Sequence, residues 1–192
     1  MLLKLLSCRA RGGLLGGRVA YGGRDACAAC AAFIDGSMVD DELRSSLTPL
    51  SRVEASSAVR FGRVKPCPLL RALGLDGLAI PSHRAEAVVV AIAKACVHAP
   101  PIICIEDPFR NLDMPSRKFV ATAIKQLSRK RVVVVSIDSV LDDATFQVFD
   151  HVLLLKQGSI LYGGTRNQTL DAFERQCINH EKCKEQYERT VQ

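Results

Sequence analysis

Glu106 and Asp107 stand side by side at the end of an apolar run, residues 101–105, and are followed by Pro108 and then Asp113. A second apolar run, residues 132–137, leads to Asp138. Carboxylates at the ends of apolar segments can hold a hard cation through oxygen or accept a proton from water. The plainer reading is that two acids at a strand end are solvated or cap the next turn. Cys27, Cys30, Cys177, His180 and Cys183 are groups of the kind zinc takes, but their spacing lacks a paired-knuckle pattern. They read as ordinary thiols, and no metal site is assigned to them. A phosphate loop needs Gly-x-x-x-x-Gly-Lys followed by Ser or Thr: its backbone N–H groups wrap the phosphates, the Lys neutralises charge and the hydroxyl holds magnesium. No such run occurs. The nearest, residues 12–19, has Arg18 for the Lys and Val19 for the hydroxyl, and leads into a strand rather than a helix.

The elements that must position these groups follow from periodicity. Residues 101–105 and 132–137 read as strands buried on both faces. Between them, residues 115–130 place Phe119, Val120, Ala123, Ile124 and Leu127 at helical spacing with Lys and Arg opposite. Strand, amphipathic helix, strand implies a parallel α/β unit. Residues 84–98 read as a buried helix, although the Val run lowers its propensity. Residues 152–155 and 159–162 flank Lys156-Gln157-Gly158 as an antiparallel hairpin, and residues 171–189 read as a polar C-terminal helix. The front is less regular: residues 12–23 are glycine-rich around Arg18-Val19-Ala20-Tyr21, consistent with a strand and turns.

A chain of 192 residues, 48% hydrophobic and 24% charged, can bury one core and is not a disordered tail. Its apolar runs fall far short of the roughly 20 residues that cross a bilayer, so it does not span a membrane by itself. Several of the eight cysteines, Cys96 and Cys104 among them, lie in apolar segments, and no secretory leader stands out. Reduced, mostly buried thiols on a cytosolic face are expected. Net charge +6 comes with three Tyr, no Trp and no basic stripe, which argues for generic surface charge and against a nucleic-acid partner. Lys4, Arg9, Arg11, Arg18 and Arg24 precede the first acid, as in mitochondrial transit peptides, so a mitochondrial setting is the alternative.

The run from Ala99 through Ile105-Glu106-Asp107-Pro108 to Asn111-Leu112-Asp113 resembles the Walker B strand and D-loop of an ABC transporter ATP-binding domain. Residues 132–150, with Ser136-Ile137-Asp138, resemble the strand and switch loop of the G-type (White/pigment) subfamily. Residues 151–164 resemble its Leu-Leu-Leu hairpin, and Ala172-Phe173-Glu174 falls where Tyr-Phe-Glu is usual. Toward the front, Val39-Asp40-Asp41-Glu42-Leu43 and Leu47-Thr48 are similar to the Q-loop region, and Leu73-Gly74-Leu75-Asp76 to the segment before the signature loop. Leu2-Leu3-Lys4-Leu5-Leu6 resembles the helix after the Walker A lysine, as if the chain began just past its phosphate loop.

The resemblance implies an α/β fold: a partial ABC-type nucleotide-binding domain over residues 1–175, its mainly parallel sheet flanked by helices, with a polar helix or tail at 176–192. It implies ATP and magnesium as cofactors, Asp107 at the general-base position, and Glu106, Asp113 and Asp138 around nucleotide and magnesium. Asp40, Asp41 and Leu43 fall in the region that couples to partners, which are a second ATP-binding domain and a transmembrane domain at the cytosolic face of a membrane. The departures are substantial. The Asp-Glu order is inverted as Glu106-Asp107, shortening the base by one C–C bond, about 1.5 Å, against a required reach of roughly 2.6–3.2 Å. His83-Arg84-Ala85-Glu86 replaces the glycine-bearing signature, Asp138 replaces the switch His, and Val39 falls at the Q-loop Gln. The expected function is therefore a transport-linked ATP-binding domain, catalytically impaired alone. The alternative is a non-catalytic interaction or regulatory protein that keeps the scaffold.

Overall fold

The computed structural model describes residues 2–9, 19–21, 23–25, 30–60, 64–138, 141–156 and 159–169. The polar helix expected at 171–189, most of the glycine-rich run at 12–23, the hairpin turn and Cys27, Cys177, His180 and Cys183 lie outside the described residues. The chain divides into two units, Met1–Thr145 and Phe146–Gln192. In chain order the first holds α1 (Leu2–Leu6), β1 (Ala20–Tyr21), β2 (Arg24–Asp25), β3 (Ala31–Ile34), α2 (Gly36–Arg44), α3 (Pro49–Arg60), α4 (Pro66–Ala72), α5 (Arg84–Cys96), β4 (Ile102–Glu106), α6 (Met114–Ser128) and β5 (Val132–Ser136). The short α7 (Asp143–Phe146) reaches the junction, and β6 (His151–Lys156) and β7 (Ser159–Thr165) follow.

Ile102-Ile103-Cys104-Ile105 has no polar face to offer water, so it must be covered on both sides. It is the middle strand of a parallel sheet ordered β3-β4-β5, with Ile34 opposite Ile105 and Glu106 opposite Ser136. On one face Leu3 of α1 packs with Ala31, Phe33, Ile102 and Cys104. Ile103 and Ile105 point the other way, as the pleat requires, and are also buried. β5 departs from the expectation of burial on both faces. Its only neighbour among the described strands is β4, and Val132 is 59% exposed while Val133, Val134 and Val135 are half-buried.

α5 forms despite Val88-Val89-Val90 because all three are at most 1% exposed, along with Ala87, Ala91, Ile92 and Ala93. Burying a Val side chain gains about 1.5–3 kcal/mol, against a helix-propensity cost of at most about 0.7 kcal/mol. α6 buries Val120, Ala121, Ala123, Ile124 and Leu127, which includes four of the five residues of the expected stripe; the fifth, Phe119, is half-buried. α4 closes on Gly74, whose φ of +76° suits glycine; a Cβ there would also stand 3.2 Å from the Phe119 ring. In the second unit, β6 and β7 pair antiparallel with an irregularity at Leu154/Leu155, and Leu153, Leu155, Ile160 and Leu161 are exposed.

Candidate functional site

The three parallel strands end together, and their carboxyl edge carries the acids. Glu106 closes β4 opposite Ser136, and Asp138 leaves two residues beyond β5. Both Glu106 and Asp107 are half-buried, whereas Asp138 is exposed. The Asp107 N–H donates to the Ser136 carbonyl at 2.9 Å, and Asp107 sits in the left-handed region at φ +43°, a conformation Asp tolerates better than most residues. Its Oδ1 is buried with no hydrogen-bond partner among the described residues. An orphaned buried acceptor of this kind calls for an explanation, such as a water or a cation. From Asp107 the chain turns through buried Pro108 and Phe109 and left-handed Asn111 to Asp113.

Asp113 is the N-cap of α6. Its Oδ1 accepts from the Ser116 N–H at 3.2 Å, and hydrogen bonding from Ser116 holds this exposed carboxyl below its ordinary pKa. Asp113 therefore positions a helix, which is the plainer of the two roles open to it. The structure brings Glu106, Asp107 and the stem of Asp138 to one edge, with Asp113 at the far end of the turn that leaves it.

One acid on this edge escaped the sequence reading. Asp35 follows β3 directly and is the N-cap of α2, accepting from Ser37 Oγ at 2.6 Å and the Met38 N–H at 3.1 Å. Burial raises its pKa, but the Ser37 and Met38 hydrogen bonds, helped by the Lys4 charge, hold it below the ordinary value. The signal was an Asp-Gly-Ser turn after the apolar Ala31–Ile34, which is a capping pattern. Val39, which the resemblance puts at the Q-loop Gln, is 4% exposed on the inner face of α2, four residues past the N-cap Asp35.

The coupling candidates also lie on α2. Asp40 Oδ1 accepts from Arg84 Nη1 at 2.8 Å, Asp41 lies 3.8 Å from Arg44 on the surface, and Leu43 is half-buried. At the start of α5, where the signature loop was matched, Glu86 reaches back. Its Oε2 accepts from the Ser82 N–H at 2.8 Å and the His83 N–H at 3.3 Å. These amides and Arg84 are thus engaged by the protein's own carboxylates. Beside them a cleft of about 310 Å³ is lined by Gly74, Leu75, His83, Glu86, Ser116 and Phe119, among others.

The oxygen-only pair Glu106 and Asp107, one of whose oxygens is buried and unpartnered, fits a magnesium ion. The Ser82 and His83 N–H groups just ahead of α5 are already taken by Glu86, which leaves those two amides unavailable to a phosphate. Among the described residues no group of three or more His, Cys, Asp or Glu is arranged to hold a metal, and no helix is long and apolar enough to cross a membrane. The thiols are less buried than expected: Cys96 and Cys104 are buried, Cys30 is intermediate, and Cys8 and Cys67 are exposed. Burial pushes the Cys96 thiol up to about 11 and raises that of Cys104.

No protein-family model matches the chain. It is 29% identical over 173 residues to the Fe(3+) ions import ATP-binding protein FbpC of Rhizobium etli, covering 81% of this chain and 47% of that protein. It is 27% identical over 84 residues to Protein white of Drosophila melanogaster, covering 44% of this chain and 12% of that protein. The chain spans about half the length of the FbpC relatives it matches. Among solved structures it resembles cbiO1 of Clostridium perfringens, part of the ABC transporter complex cbiONQ, with a TM-score of 0.66 and 16% identity over 88% of this chain and 73% of that one. The chain has the α/β fold of that ABC transporter component, a parallel sheet flanked by helices.

Proposed function

We propose that this chain is an ATP-binding component of an ABC transporter, of the G-type line, that turns ATP over poorly or not at all by itself. One observation carries the reading: β4 delivers Glu106 and Asp107 to the carboxyl edge of a parallel sheet, and the following turn runs to Asp113 at the head of α6. The similarity to Protein white supports the G-type assignment. In this reading residues 1–175 form the ATP-binding domain and 176–192 a tail. Glu106 lies on the magnesium side, Asp107 takes the general-base position, and Asp113 and Asp138 are further candidates around nucleotide and magnesium. Asp40, Asp41 and Leu43 belong to the surface that meets a membrane-embedded partner at its cytosolic face, and a second ATP-binding domain completes the assembly.

A second reading, a non-catalytic regulator on the same scaffold, is favoured by the head of α5. Glu86 and Asp40 already engage the Ser82 and His83 N–H groups and the Arg84 guanidinium there. Calorimetry with Mg-ATP separates the two. Binding that weakens in Glu106→Gln supports the ATP-binding reading. Absence of binding at millimolar nucleotide removes it and leaves the regulator.

A further inference from the structure

α2 buries only two side chains, Val39 and Glu42. Met38 and Leu43 are half-buried beside Val39, an apolar stripe shorter than that of α6, and a buried charge cluster adds to that hold. The Glu42 carboxylate, on a residue 3% exposed, accepts from Arg52 Nη1 of α3 at 2.7 Å through Oε2 and from Lys94 Nζ of α5 through Oε1. Arg52, 5% exposed, also closes the end of α2: Nη1 donates to the Glu42 carbonyl and Nη2 to the Ser45 carbonyl, each at 2.6 Å. These are carbonyls that a helix C-terminus leaves open. Nearer its start, Asp40 pairs with Arg84 of α5. The Arg52 Nε is buried without a hydrogen-bond partner among the described residues, so the burial of this guanidinium is only partly compensated.

We propose that α2 is an electrostatically held strap: residues 36–48 release from α3 and α5 as one unit while the β3-β4-β5 sheet stays folded. Glu42 is the shared partner of two cations from two different helices, so loss of its charge removes both pairs and strands Arg52 in the interior. The sheet and the α5 and α6 faces rest on apolar burial that no single charge controls. The strap starts at Asp35, beside the edge bearing Glu106, and ends at a turn where Leu47 is 55% exposed. Its release therefore changes the acid edge and that surface together. The proposal stands apart from the nucleotide reading.

Peptide-level hydrogen–deuterium exchange on the full chain, at low and at molar salt, tests it. In Glu42→Gln, peptides from 36–48 are expected to exchange at least about 10-fold faster while those from 102–106 keep wild-type protection. Molar salt should speed 36–48 in the wild type, acting on the half-exposed Asp40–Arg84 pair. Acceleration of both segments together, or of neither, overturns the strap. Should Glu42→Gln not fold, Asp40→Asn supplies the same readout with a smaller rise of about 3-fold. Equal protection of 36–48 in that variant and the wild type at both salt concentrations overturns it equally.

Discussion

α2 and α6 begin alike and are held differently. Each follows a buried parallel strand, and each opens on an aspartate whose side chain accepts the backbone N–H three residues on, Asp35 from Met38 and Asp113 from Ser116. Beyond the cap they diverge. α6 fully buries five apolar residues on its inner face, whereas α2 fully buries one valine, with Met38 and Leu43 half-buried beside it, and a carboxylate clamped by two cations. Dispersed apolar burial fails gradually and is not screened by salt, while a hold that converges on one charge fails as a unit.

The sharpest way to break this comparison is Glu42→Ala. Removing one partner of a buried pair is expected to cost about 3–5 kcal/mol, read by urea unfolding. A loss below about 1 kcal/mol would place the hold of α2 in its apolar contacts. Ile124→Ala on α6, at a residue 3% exposed, should cost about 2–5 kcal/mol by leaving a cavity. That cost should be the same at low and molar salt, and a strong salt dependence would erase the distinction.

α5, packed against both helices, offers an alkaline test. The folded pKa of Cys96, about 11, lies above its ordinary 9.0. The stability this neutral thiol contributes is therefore present in full below about pH 9 and lost as pH rises through the folded value. Between those limits wild type should lose roughly 2–3 kcal/mol more than Cys96→Ala; parallel curves would mean the thiol is not sealed by α5. The smallest effect belongs to the shared feature. Asp35→Ala should cost about 1 kcal/mol as a lost N-cap. Asp35 and Asp113 are both held low, so the stability each contributes is present above the unfolded carboxylate value, near 3.9, and falls away as pH drops through the folded one. An acid titration of Asp35→Asn that tracks the wild type throughout would deny the cap its charge.

The same contrast explains what could be read in the sequence. β4, α5 and α6 are legible because apolar spacing reports the elements that apolar burial holds, and Glu106, Asp107 and Asp113 because they punctuate those elements; the β6–β7 hairpin is legible from two apolar runs around Lys156-Gln157-Gly158, although Leu153, Leu155, Ile160 and Leu161 are exposed. α2 is not legible in this way. Its pattern is written in Asp40, Glu42, Arg52, Arg84 and Lys94, charges whose partners lie up to 52 residues apart and leave no local period. The sequence shows Val39 only through its resemblance to the Q-loop Gln, and does not single out Asp35. β5 was read as fully buried because Val132-Val133-Val134-Val135 carries no mark of an edge; exposure there depends on which strands flank it.

In the proposed reading, the carboxyl edge of the sheet is an ABC-type ATP site with little or no hydrolytic power in this chain. Steady-state hydrolysis of Mg-ATP by the purified full chain, beside Asp107→Asn, tests it most directly. The expected result is the same background rate for both. Turnover in the common enzymatic range of about 1–10³ s⁻¹, abolished by Asp107→Asn, would contradict it and make Asp107 a working base.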